Sequence, residues 1–234
     1  MNIKEISKYF LSQVGYHEKA SNKDLYTDKN NGHKNYTKYA DILKYSDLLN
    51  GNKQAVAWCA VFIIANFYSL FGEKTTHDLL NLPKNSAGAG CPFLYDYLKG
   101  FYIDNEPAEG DLIFFGDKKP NHVGYVYKVQ GSKVFTVEGN TDDQVKKHTY
   151  AINSKKIYGY VRPRYELINN DINLVYKYKV TAISGLRVRK EPNTNCDVLR
   201  ILKFGTKVLG TPYNENWIST QGGFISSKWV EKVK

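Results

Sequence analysis

Ala55-Val56-Ala57-Trp58-Cys59-Ala60-Val61-Phe62-Ile63-Ile64-Ala65 is the longest apolar run of the chain. It leads into a helical segment, Trp58 to Phe71, that is apolar on nearly every side and closed by Gly72. A helix of that kind lies buried at the centre of a domain, and the run is too short to cross a bilayer. Cys59 falls where this helix begins. A thiol there feels the positive end of the helix dipole, which favours thiolate, and thiolate is the nucleophile of covalent hydrolysis. A cysteine on an apolar helix is otherwise ordinary core, so partners elsewhere must decide its role.

Upstream, Ile3, Ile6, Tyr9, Phe10 and Val14 recur at helical spacing between Asn2 and Val14, before Gly15. Glu18 to Lys34 is polar and reads as a surface loop. Tyr36 to Leu49 reads as a second helix, ended by Asn50-Gly51, and Pro92 to Leu98 as a short one. The period then changes. Asp111 to Phe115, His122 to Val129, Lys133 to Glu138 and Tyr158 to Val161 are β-branched or aromatic runs. Helices followed by an antiparallel sheet predict an α+β domain over residues 1–165. Residues 166–176, with Asn169-Asn170-Asp171-Ile172-Asn173, read as a linker. Residues 177–234 are short strands without a helix, which predicts a small β-barrel.

The hairpin around Gln130-Gly131-Ser132 places two polar groups together. If Gln130-Gly131 is a two-residue turn, paired residue numbers add to about 261. His122 then lies opposite Glu138, Gly139 or Asn140. Glu138 and Asn140 are two apart and share one face of their strand. A total of 260 or 262 puts both on the face of His122. One ring nitrogen is then held by Glu138 or Asn140 while the other faces a thiol, the arrangement that fixes a tautomer and stabilises an imidazolium.

Cys59, Asn121-His122-Val123-Gly124 and Val137-Glu138-Gly139-Asn140, with Glu109-Gly110-Asp111-Leu112-Ile113-Phe114-Phe115 before the hairpin, resemble the cysteine, histidine-dependent amidohydrolase/peptidase (CHAP) family. The separations agree: 63 residues from Cys59 to His122 and 16 more to Glu138. The resemblance covers roughly the first 165 residues. It implies a papain-like fold with Cys59 as nucleophile, His122 as general base, Glu138 orienting the imidazole and Asn140 supporting it. The implied reaction is hydrolysis of a peptidoglycan amide bond through an acyl-enzyme, with the backbone N–H of Cys59 as oxyanion donor and Gln54 as a candidate second donor. Trp58 is a candidate for lining the substrate groove, or equally for capping the core. Some phage members carry an Asp-rich calcium loop before the nucleophile. Here Leu49-Asn50-Gly51-Asn52-Lys53-Gln54 has no carboxylate, and Asp24, Asp28 and Asn30 lack calcium-loop spacing. No metal and no cofactor are expected.

The tail has its own resemblance. Gly185-Leu186-Arg187-Val188-Arg189-Lys190-Glu191-Pro192, Leu202-Lys203-Phe204-Gly205-Thr206-Lys207-Val208, Trp217, Gly223-Phe224-Ile225 and Trp229-Val230 are similar to a bacterial SH3-like domain. Such domains commonly bind the bacterial wall, and tethering a weak binder to an enzyme raises local substrate concentration. Trp217 is the candidate wall-binding residue, although Trp217 and Trp229 are read first as packing the barrel.

Composition narrows the partners. Hydrophobic residues make up 42% and charged residues 24% of 234, ordinary for a globular protein. Cys59, Cys91 and Cys196 are too few and too scattered for a disulfide framework or a zinc site, and the last two are read as structural or incidental. A net charge of +10 implies an acidic partner. The basic residues are dispersed and no stacking motif accompanies them, which disfavours nucleic acid, and no segment suits membrane insertion. Peptidoglycan and its anionic wall polymers are the expected partners. Met1-Asn2-Ile3-Lys4-Glu5-Ile6 lacks a signal-peptide core. The expectation is an endolysin made in the host cytoplasm that acts on the wall after release. The alternatives are a bacterial autolysin or lytic toxin with the same chemistry, and a non-catalytic wall-binding protein. His17, His33, His77 and His148 are read as surface residues.

Overall fold

The computed structural model describes residues 2–103, 106–168, 176–214, 216–220 and 222–233. The chain divides into two compact units, Ile3–Leu167 and the segment from Ile168 onward. Most of the predicted linker, 169–175, lies outside the described residues.

The first unit is α+β. Helices α1 (Ile3–Leu11), α2 (Lys38–Ile42), α3 (Cys59–Leu80) and α4 (Cys91–Leu98) precede strands β1 (Tyr102–Ile103), β2 (Leu112–Phe115), β3 (His122–Gln130), β4 (Lys133–Thr141), β5 (Gln144–Ala151) and β6 (Ile157–Val161). The strands form one antiparallel sheet in the order β1-β6-β2-β3-β4-β5. As its sequence predicts, α3 is central: Ala60 through Ala65 and Phe67 are wholly buried. Phe10 of α1 stacks on Tyr125 of β3 at 4.0 Å and meets Phe62 and Phe67 edge-on, joining helices to sheet. Asp111, buried just before β2, accepts from both Nε and Nη2 of Arg162 beyond β6 and from the backbone N–H of Ala108. That pairing fixes where the two strands begin and end.

Several elements depart from the sequence reading. The second helix spans only Lys38–Ile42, capped by Thr37, whose Oγ1 accepts from the backbone N–H of Ala40 at 3.2 Å. Beyond it Ser46 bonds back to the Leu43 carbonyl, the local competition by which serine ends helices. Gly72 (φ 73°) does break α3, but the chain resumes helical turns to Leu80. The polar stretch after Glu18 is not wholly a surface loop: Glu18 and Lys19 are buried and bonded to Tyr36, Asn35 and Asn31. Strand β5, with Val145 as its one buried residue, takes its conformation from pairing with β4.

The hairpin turn differs by one residue, with a consequence for the site. The turn is Gly131-Ser132, closed by the pair Gln130–Lys133, and Gly131 has the positive φ (56°) that a type II′ turn requires first. Paired numbers there add to 263, a parity that would turn Glu138 away from His122. Tyr127 is then skipped as a bulge, and the pairs Val126–Thr136 and Tyr125–Val137 add to 262. The bulge thus returns Glu138 to the histidine's face, since a one-residue slip reverses every side chain.

The second unit is a seven-stranded antiparallel sheet. Strands β7 (Tyr176–Val180), β8 (Leu186–Arg189), β9 (Val198–Leu202), β10 (Lys207–Asn214), β11 (Trp217–Thr220), β12 (Gly223–Ser226) and β13 (Val230–Val233) pair in the order β13-β7-β10-β11-β12-β8-β9. Tyr178, Val180, Ala182, Leu186, Val188, Ile218 and Ile225 form its core. No helix among the described residues is long and apolar enough to cross a membrane.

Where β4 crosses the start of α3 the backbones approach closely. A Cβ on Gly139 would lie 2.6 Å from Phe62 Cβ and 2.8 Å from Trp58 Cζ3. Gly139→Ala is expected to destabilise the unit by about 1–3 kcal/mol through overpacking, and to displace Glu138 with the strand. Thermal denaturation checks this; a melting temperature equal to that of the unmodified protein would contradict the packing.

Candidate active site

Cys59 is the first residue of α3. Its N-cap, Trp58, supplies no side-chain hydrogen bond, so the first-turn N–H groups are left for another acceptor. Cys59 is 6% exposed. Cys91, then the ring and charge of His122 and the backbone N–H of Val123, hold the Cys59 thiol well below its ordinary range, against burial, which pushes it up.

His122 opens β3. Its Nε2 lies 3.0 Å from Oε2 of Glu138, which leaves Nδ1 for the sulfur. Burial pulls the imidazole down, but hydrogen bonds and charge from Cys59 and Glu138 outweigh it and raise the pKa to about 9. Both shifts favour one state at neutral pH, thiolate beside imidazolium. Phe115 packs 5.7 Å from the ring, between centroids.

Glu138 is almost wholly buried. Its Oε1 accepts from Thr136 Oγ1, and its Oε2 also accepts from Tyr150 Oη at 3.4 Å. Burial, and then the Glu138 charge, push the Tyr150 phenol up, so it stays a donor. Gly124 makes room for this carboxylate, because a Cβ there would lie 2.6 Å from Glu138 Cγ. Buried carboxylates need such partners to stay ionised.

The structure therefore brings Cys59, His122 and Glu138 together and corrects three other assignments. Asn140 has no side-chain hydrogen bond among the described residues; it sits with φ 59° at a register shift between β4 and β5, a backbone conformation asparagine tolerates. Trp58 is fully buried, stacked on Tyr39, and its indole N–H donates to Glu18 Oε2 at 2.7 Å, so it offers no surface to substrate. Gln54 is no oxyanion donor: its amide oxygen accepts from the Thr37 N–H and its NH2 donates to the Thr37 carbonyl. Thr136 and Tyr150 escaped the sequence reading. The i, i+2 spacing of Thr136 and Glu138 on one strand face was the available signal for the first; Tyr150 lies on the unrecognised β5.

Among the described residues, one group of His, Cys, Asp and Glu side chains has ligand atoms within 4.8 Å of one another: Asp47, Glu73 and His77. Glu73 accepts from the Asp47 N–H, His77 bridges Asp47 and the Leu82 carbonyl, and Lys84 lies 3.5 Å from Asp47. His77 is thus half-buried structure rather than surface, and the group is accounted for by its own hydrogen bonds.

The second unit carries a groove of about 820 Å³ whose lining includes Ile183, Arg187, Arg189, Ile201, Trp217 and Trp229. Trp217 and Trp229 stand outside the core cluster and line this groove, correcting the reading of both as core packing.

Replacing Glu138 by Gln removes the charge behind the ring. The imidazole should then titrate below 9, lower by about one pH unit or more. The pH interval over which thiolate and imidazolium coexist narrows from its alkaline end. Titration of the His122 ring by nuclear magnetic resonance checks this, and an unchanged midpoint would contradict the role given to Glu138.

No family model and no curated protein matches the chain. Its structure is similar to the crystal structure of Ly7917 and to that of Ly7917 with the hydrolyzing product of MDP, at 13% identity in each case. The TM-scores are 0.42 and 0.39, over 99% of this chain and 98% of the other. Likenesses of that size assign no function.

Proposed function

We propose that this protein is a peptidoglycan hydrolase of the endolysin type. The first unit is a papain-like CHAP domain that cuts an amide bond, and the second an SH3-like domain that holds the wall. The observation that carries the reading is the Cys59–His122–Glu138 arrangement at the start of a buried helix.

The chemistry follows from that geometry. The Cys59 thiolate attacks the amide carbonyl carbon, and a C–S bond forms. Charge moves to the carbonyl oxygen, for which the N–H groups at the start of α3, uncapped by any side chain, are the natural donors. The His122 imidazolium gives its proton to the departing nitrogen, the C–N bond breaks, and a thioester remains. Neutral His122 then takes a proton from water, which attacks the thioester; the C–S bond breaks and the carboxylic acid leaves, giving its proton to solvent. The thiolate and imidazolium are restored. Throughout, Glu138 keeps Nε2 engaged and the ring aligned.

Charge supports the wall as substrate. From Ile168 onward, eleven Lys and Arg face five Asp and Glu, which is +6 of the chain's +10. An anionic polymer would be drawn to that unit, whose groove offers exposed aromatic and aliphatic surface beside Arg187.

Two outcomes test the reading. Cys59→Ala should abolish the clearing of a suspension of purified walls while leaving sedimentation with those walls unchanged; clearing by that variant would refute the assignment. Trp229→Ala should weaken co-sedimentation several-fold without changing Cys59 alkylation, and unchanged co-sedimentation would remove the groove from wall binding. Mass spectrometry of the released fragments names the bond cut, either between muramic acid and L-alanine or within the peptides.

A further inference from the structure

Three tyrosines from separate elements meet at one edge of the first unit. The rings of Tyr95 on α4 and Tyr158 on β6 lie edge to face, 5.1 Å between centroids, and Tyr95 packs on Phe114 of β2 at the same separation. Tyr102 of β1 reaches over Gly159 of β6: a Cβ there would lie 2.7 Å from Tyr102 Cε2 and 3.7 Å from Tyr95 Oη. The rings converge because position 159 carries no side chain. Tyr102 is 45% exposed, and Tyr95 and Tyr158 are half-buried. Among the described residues, the hydroxyls of these three have no hydrogen-bond partner, whereas Tyr97 on α4 and Tyr160 on β6 each have one. Burial, and then the neighbouring Tyr158 and Tyr102, push the Tyr95 phenol up, so it stays neutral.

The place of this cluster in the sheet links it to the candidate active site. Phe114 is in register with Gly159 on one side and Val123 on the other, and Phe115 with Ile157 and His122. Tyr158 is the bulge residue skipped between Ile157 and Gly159, which frees its ring from strict alternation to meet Tyr95. The tyrosines and His122 therefore share one end of the sheet, two strand spacings or about 10 Å apart. Ring faces accept the C–H groups of a pyranose, and neutral phenols exchange hydrogen bonds with its hydroxyl and N-acetyl groups. The charged side chain acting on Tyr95 is Asp96, an anion, which disfavours a phosphate or a free carboxylate there. We infer that the tyrosine cluster is a subsite for the sugar backbone of the wall, an N-acetylated pyranose polymer. This rests on the proposed reading of the protein as a peptidoglycan hydrolase and narrows it. A peptide advances about 3.3–3.6 Å per residue. A sugar seated about 10 Å from His122 thus brings only the first two or three bonds of its attached peptide to Cys59.

Titration of the full chain with a peptide-free tetrasaccharide of alternating N-acetylglucosamine and N-acetylmuramic acid tests the subsite without any hydrolysis. Followed by nuclear magnetic resonance, the ring signals of Tyr95, Tyr102 and Tyr158 should move saturably. Tyr102→Ala should weaken binding several-fold. Tyr95→Phe, which deletes a hydroxyl and leaves the packing on Phe114, should weaken it about two- to tenfold. Poly(glycerol phosphate), an anionic polymer without pyranose rings, should leave the three rings unmoved. Rings unmoved by the saccharide, a response to the phosphate polymer instead, or movement confined to Trp217 and Trp229 each overturns the inference. A second measurement reads the reach of the subsite. The unmodified protein should hydrolyse a stem peptide bearing its disaccharide with a kcat/KM about tenfold or more above that for the same peptide without sugar; equal values also overturn it. Cleavage of neither compound would defeat the proposed function, and the saccharide titration would still decide the subsite.

Discussion

The site depends on a single charge arrangement: an anionic sulfur at the start of a buried helix, beside a cationic imidazole. Neither charge is stable in that place alone. Burial raises the thiol and lowers the ring, and these effects are reversed by Cys91, His122 and Val123 on the sulfur side and by Cys59 and Glu138 on the ring side. The helix terminus adds a fixed positive field and open N–H groups on the sulfur side, and Glu138 adds a fixed negative charge on the ring side.

Much of the surrounding fold serves to bring these groups to one point. The helix and the strand come from distant parts of the chain, so their separation is governed by packing rather than local geometry. Gly139 lets β4 lie against Phe62 and Trp58, and Gly124 leaves the volume that Glu138 fills. Trp58 is held through its indole by Glu18, which also takes the Asn35 N–H, so the segment before the nucleophile is fixed from the far side. In the proposed function, this preorganisation means that the charges meeting the substrate need little rearrangement during reaction.

What could be read from residues alone was the local part. An apolar run opening on Cys59 implied a buried helix with a thiol at its start, and alternation around Gly131 implied a hairpin bearing His122 and Glu138; the α+β character followed. The hairpin reaches the required face by a route that spacing does not reveal, through a turn one residue later and a bulge at Tyr127 that cancels it. The substrate-site roles expected of Trp58 and Gln54 fail because adjacency to a nucleophile says nothing of direction: one side chain is turned into the core and the other is consumed by Thr37.

Titration of the His122 ring by nuclear magnetic resonance, in the unmodified protein and in Cys59→Ala, tests the charge pair most directly. A midpoint of about 9 is expected with the sulfur present, falling toward the ordinary 6.5 once it is removed. A midpoint near 6.5 in both proteins would mean that no thiolate–imidazolium pair exists, and would contradict the proposed chemistry at its base.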